Sequence, residues 1–212
     1  MLIDISHTIN NNCPTLPEDP DCKITQIANH KINKYSLHQI NTGTHTATHI
    51  DAPNHFLKDG KKINQIPLTD VHGPAKILET QTKIKNTAIQ PQNLKPYNTT
   101  PTPIIIIKTG WHTQWNTTHY FTQTPYLSEK LTQQIIQQKE IKGIAIDTPT
   151  VDKPGETKIH KKLLSNNIWI AENITNLKQL KNNQIYQAYF IPLKINTEAA
   201  PIRAFIKQKK IE

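Results

Sequence analysis

Cysteine, glycine and methionine are scarce in this chain of 212 residues, which has two Cys, six Gly and one Met. Two thiols, Cys13 and Cys22, can make at most one bridge, and their spacing matches no zinc pattern, so a disulfide scaffold is excluded and free thiols are expected. A compact chain of this length buries roughly 70% of the surface its unfolded form exposes, so it can hold a core without staples. Acidic residues are also few: 16 Asp plus Glu against 25 Lys plus Arg leave a formal charge of +9. The basic residues are scattered and carry no RNA-binding or zinc-finger signature, so no nucleic-acid partner is expected. The runs Lys58/Lys61/Lys62 and Lys207/Lys209/Lys210 read as solvated surface. Long hydrophobic runs are absent; the longest aliphatic stretch is residues 104–107, far short of the ~20 apolar residues that cross a bilayer. No membrane partner is expected. The opening Met1-Leu2-Ile3-Asp4-Ile5 has no basic stretch followed by an apolar core, so the expected location is the cytoplasm.

What is there is isoleucine, placed periodically enough for a folded α/β chain. Strands are expected at residues 2–6, 23–28, 35–42 and 104–108, with a proline-rich loop over 14–20 whose fixed φ angles and missing N–H groups forbid a helix. Ser128 caps a helix with Leu131, Ile135 and Ile136 on one face, and Gly143 precedes a strand at 144–147. Strand, crossover helix and strand make a βαβ unit, so part of the sheet should be parallel. A helix at 159–164, a strand at 168–171 and strand-like stretches at 184–195 and 202–207 complete the pattern. With no internal repeat and no dividing linker, residues 1–212 read as a single, sheet-rich, mixed α/β domain.

Ten histidines are many for this length, and three of them, His45, His49 and His55, fall within eleven residues with Asp51 among them. On a helix, Asp51 would be rotated about 120° away from the face that His45 and His49 share. The four occupy odd positions, and alternate side chains share one face of a strand. A straight strand would separate His45 from His55 by about 33 Å, so the chain must bend, most cheaply at Ala52-Pro53. His45, His49 and Asp51 are therefore expected as metal ligands near a strand end, with His55 brought close after the turn. Imidazole nitrogen and carboxylate oxygen suit Zn²⁺ or Mn²⁺, and a carboxylate can bridge two ions.

The segment His45-Thr46-Ala47-Thr48-His49-Ile50-Asp51-Ala52-Pro53-Asn54-His55-Phe56 resembles the motif His-Thr-Gly-Thr-His-x-Asp-Ala-Pro-x-His-Phe of the cyclase family of metal-dependent hydrolases. The opening Ile3-Asp4-Ile5-Ser6-His7, Lys108-Thr109-Gly110-Trp111, the stretch from Ile146 to Asp152 and Pro201-Ile202-Arg203-Ala204 resemble further family segments, so the likeness covers nearly the whole chain. It implies a swivelling β/β/α fold and assembly as a dimer or tetramer. The family's two remaining ligands are a His and a Glu twelve residues later, and His160 and Glu172 stand at that interval. The resemblance implies Asp51 as a bridge between two zinc ions, with manganese as the alternative, and a mononuclear site built from the same residues stays open. It leaves His55 unligated, as a proton shuttle or as an orienting group for a ligand.

A divalent ion lowers the pKa of bound water from about 15.7 towards 7, so the implied chemistry is hydrolysis by activated water. The resemblance implies a small-molecule substrate: an aryl formamide such as N-formylkynurenine, which belongs to tryptophan catabolism by the kynurenine pathway, or a cyclic amide, imide or lactone. A metal-binding member without turnover is the remaining alternative. Two departures bear on the substrate. Ala47 stands where the family has Gly, and Leu16-Pro17-Glu18-Asp19 stands where formamidase-like members read Trp-Pro-Gly-Asp, which removes an aromatic wall. Asp147 and Asp152 read as loop-forming, and the other histidines as structural or surface residues.

Overall fold

The structure is a computed structural model and describes residues 1–81, 85–95, 101–182 and 184–208. The strands are β1 (Leu2–Asp4), β2 (Lys23–Ala28), β3 (Leu37–Asn41), β4 (His49–Asp51), β5 (His72–Glu79), β6 (Ala88–Ile89) and β7 (Ile104–Lys108). They continue as β8 (Tyr126–Leu127), β9 (Gly143–Ile146), β10 (Trp169–Glu172), β11 (Ile185–Tyr189), β12 (Ala199–Pro201) and β13 (Phe205–Gln208). Helices are α1 (His30–Asn33), α2 (Glu129–Gln137) and α3 (Lys158–Ser165). Nine strands form one sheet in the order β1-β13-β11-β5-β7-β9-β10-β4-β12. Its centre, β5-β7-β9-β10, is parallel, and both flanks are antiparallel. No helix among the described residues is long and apolar enough to cross a membrane.

The isoleucine run of β7 shows how alternation builds two cores. Ile104 and Ile106 join Ile3, Ile50, Ala171, Phe190 and Ile206 on one side, a cluster drawn from both flanks of the sheet, which therefore curls around it. Ile105 and Ile107 join Ile144, Ile146 and Ile170 on the other side, against Leu131 and Ile135 of α2 and Leu163 and Leu164 of α3. The expected βαβ unit is present, with β7 and β9 paired parallel across α2. Ser128 caps α2 by accepting from Leu131 N at 3.1 Å. Gly143 is required by close approach: a Cβ there would meet the Trp169 ring at 1.9 Å.

Two expectations need correction, and one strand was not expected. The strand over residues 184–195 stops at Tyr189, because Pro192 has no N–H to continue the ladder and makes only an isolated bridge to Ile202. β5, in the middle of the sheet, has no counterpart in the sequence reading. The segment expected to carry metal ligands is not one extended strand from residue 45: β4 starts only at His49, and Ala47 adopts a left-handed φ of 56° before it. Lys209 and Lys210 of the basic run lie outside the described residues.

Candidate metal centre

The sheet's alternation decides which side chains meet. Ile50 points into the curled core, so its neighbours His49 and Asp51 face the helix side. In the neighbouring β10, Trp169 and Ala171 point into that core while Ile170 and Glu172 face the helices. The antiparallel register sets Glu172 opposite His49. His160 arrives from the first turn of α3. His45 comes from the turn before β4, and His55 ends the short 3₁₀ turn Pro53–His55, where Ala52-Pro53 makes the expected bend.

All six side chains converge. His45 Nδ1 lies 3.0 Å from Asp51 Oδ1, and His49 Nε2 lies 3.4 Å from Asp51 Oδ1 and 3.5 Å from Glu172 Oε2. His160 Nε2 lies 3.6 Å from Asp51 Oδ2 and 3.2 Å from Glu172 Oε1. The His55 ring is 4.3 Å from that of His45 and 5.7 Å from that of His160. Ligand atoms of His45, Asp51 and His55, and separately of His49, Asp51 and Glu172, all lie within 4.8 Å of one another.

Asp51 is fully buried, yet among the described residues neither of its oxygens has a hydrogen-bond partner, and neither does His49 Nε2. A buried carboxylate left so is costly unless a cation meets it. Electrostatics agree. Burial alone would push the His49 imidazole down, but Asp51 and Glu172 overrule it and raise it to about 9. His160 is raised well above its ordinary value against the same burial, by Glu172, Asp152 and Asp51. The centre is a place where positive charge is stabilised, and its nitrogen and oxygen donors fit a divalent ion such as zinc or manganese. His55 is pushed down to about 4, by burial first and then by His45 and His160, so it is a neutral imidazole at neutral pH.

Two of these histidine rings are locked from behind. His49 Nδ1–H donates to Ala47 O at 2.9 Å, and His160 Nδ1–H donates to Asp152 Oδ2 at 2.7 Å, which leaves both Nε2 lone pairs facing the centre. Asp152 also accepts from Ile159 N at 2.6 Å and His160 N at 2.9 Å, so one carboxylate caps α3 and aims its histidine. The loop-forming reading of Asp152 is thus too modest. No local signal announced it, since the capping position next to α3 is Thr157. Asp147 does hold a loop: it accepts from Thr109 N, Thr109 Oγ1, Gly110 N and His112 Nδ1.

Behind the ligand turn, Asn173 Nδ2 donates to Ala47 O at 2.9 Å, and His7 N donates to Thr48 Oγ1 at 2.9 Å. The His7 ring stacks on Trp115 with centroids 3.9 Å apart and is lowered to about 4 by burial and by His112. The unfolded chain binds that proton near pH 6.5 while the folded one does not until about pH 4, so stability is lost as pH falls through this window. With chelator present, His7→Phe is expected to remove about 1 kcal/mol of the loss in urea-unfolding stability between pH 7 and pH 5, after discounting for the ring's partial exposure. Equal losses in both proteins would show that His7 titrates normally.

The Cyclase family, described as "Putative cyclase", matches residues 3–153. The chain is 27% identical over 209 residues to the kynurenine formamidase of Bacillus cytotoxicus, covering 97% of this chain and 96% of that protein. Among solved structures, isatin hydrolase A from Labrenzia aggregata, bound to benzyl benzoate, superposes with a TM-score of 0.82 at 20% identity, over 99% of this chain and 94% of that one. A protein from Bacillus stearothermophilus described as a "predicted metal-dependent hydrolase" superposes with a TM-score of 0.77 at 25% identity, over 97% of both chains. The mixed α/β architecture is the one these neighbours share.

Proposed function

The chain belongs to the cyclase family, and from that premise we propose that it is a metal-dependent hydrolase that cleaves an amide C–N bond of a small molecule. The observation that carries the reading is the buried carboxylate of Asp51, which has no hydrogen-bond partner among the described residues and lies amid His45, His49 and His160. His45, His49 and Asp51 would hold one zinc ion and Asp51, His160 and Glu172 a second, with manganese the alternative metal. The bound metal would supply Lewis acidity, lowering the pKa of water from about 15.7 towards 7 and polarising a carbonyl.

The chain's own groups do the rest. Asp51 sets the spacing of the cluster through its two oxygens, while Ala47 O and Asp152 keep the donor nitrogens aimed. Phe56 lies against His55 at 4.2 Å and His160 at 5.2 Å between ring centroids, fixing the His55 ring and excluding water from that side. His55 takes the proton from the attacking water and delivers it to the departing nitrogen. His55→Gln is expected to lower kcat by about 10²- to 10⁴-fold with metal content unchanged. Loss of an ion in that variant would make His55 a ligand instead.

The leading substrate is an aryl formamide such as N-formylkynurenine, supported by the likeness to kynurenine formamidase over nearly the whole chain. The second reading is a cyclic amide, imide or lactone, favoured by Leu16 standing where formamidase-like members carry an aromatic wall. Turnover of the metal-loaded protein on N-formylkynurenine and on a cyclic panel decides between them, and metal retained without turnover on any would indicate a binding protein. A cytoplasmic homo-oligomer, dimer or tetramer, belongs to the same reading. It is supported by the β2–β3 ribbon, which pairs with no other strand among the described residues and leaves Ile27, Ile32, Leu37 and Ile40 exposed.

A further inference from the structure

Each ligand histidine that turns one ring nitrogen to the centre needs something to hold the other. For His49 it is Ala47 O and for His160 it is Asp152. His45 turns Nδ1 to Asp51, and its Nε2 lies 3.5 Å from Glu198 Oε1. Glu198 is itself restrained. Its Oε1 accepts from Thr44 Oγ1 at 2.6 Å, its backbone carbonyl accepts from Ala52 N at 2.8 Å, and Thr197 O beside it accepts from Ile63 N at 2.9 Å. Thr44 and Ala52 bracket the ligand segment from His45 to Asp51, so Glu198 ties both of its ends to β12.

We propose that Glu198 is the positioning residue of His45: its carboxylate faces Nε2–H, fixes the tautomer that leaves Nδ1 free, and holds the ring against Asp51. The inference rests on the reading of His45 as a metal ligand. Glu198 differs from the other two holders in being about one-third exposed, at the rim of the centre. A carboxylate behind a ligating imidazole also raises the ring's basicity, and removal of such partners costs typically 10- to 100-fold in metal affinity.

The test is a competition titration of Zn²⁺ between a chromophoric chelator and the purified full chain, with Co²⁺ absorption recorded in parallel. Glu198→Ala is expected to weaken one of two ions by about 10- to 100-fold and to change the cobalt spectrum, and Glu198→Gln, whose amide oxygen still accepts from Nε2–H, to weaken it less. The unfolding midpoint in chelator should stay at the wild-type value for Glu198→Gln, which separates positioning from a structural role. Binding of both ions with wild-type affinity by Glu198→Ala would overturn the inference, even if kcat fell, since Glu198 would then act on the substrate. A wild-type chain that binds no divalent ion would overturn the hydrolase reading and this inference with it, whereas wild-type binding equalled by Glu198→Ala sinks the inference alone.

Discussion

Asp51→Asn is expected to purify with little bound metal and to hydrolyse amide substrate about 10³-fold more slowly or worse, the loss of several kcal/mol of charge stabilisation. The carboxylate is fully buried, and its Oδ1 faces His45 and His49 while Oδ2 faces His160. A carboxamide keeps the shape but offers one acceptor oxygen and turns an NH₂ donor towards an imidazole. It can neither bridge two ions nor supply the negative charge that raises the His49 and His160 imidazoles. Metal analysis per chain and the initial rate on N-formylkynurenine measure the two effects separately. The exposed Asp59→Asn, eight positions on, should change neither and controls for charge. An Asp51→Asn protein that keeps its metal and its rate would remove the centre of the proposed mechanism.

Why this centre was readable in the sequence, and what hid the rest, follows from particular residues. His45, His49, Asp51 and His55 lie so close together that chain connectivity alone nearly assembles them, and their chemistry is rare enough to stand out. The Ile104–Lys108 strand and the Ser128-capped helix were legible because burial on both faces and a cap each leave a local mark. β5 left none: it opens on His72-Gly73-Pro74, carries Lys76 buried in its middle, and owes its existence to neighbours β11 and β7. The turn at Ala47 was equally silent, since a left-handed alanine is a tertiary imposition that no propensity announces. Odd-numbered alternation therefore suggested one strand, where the chain uses β4 for only His49 and Asp51. Glu198 was invisible for a different reason. Only the pairing of β12 with β4, Ala199 opposite Asp51, brings it to His45.

The same electrostatics predict what stripping the metal does to the fold. Asp51 and Glu172 are both buried and each disfavours the other's charge, a repulsion their histidine neighbours offset. A divalent ion that binds only the folded arrangement adds to stability by mass action, ~4 kcal/mol at a free concentration a thousandfold above its Kd. For a domain of this size each kcal/mol moves the midpoint by about 2–4 °C, so chelator is expected to lower Tm by about 8–16 °C and to abolish hydrolysis. Adding Zn²⁺ back should restore both together, because one cluster is responsible for both. Asp51→Asn supplies the decisive comparison: with that buried carboxylate gone, its Tm should be nearly indifferent to chelator. A wild-type protein whose midpoint also ignores chelator and added zinc would show that the buried carboxylate is satisfied by protonated histidines alone, and that the cluster is an ion-pair network rather than a metal site.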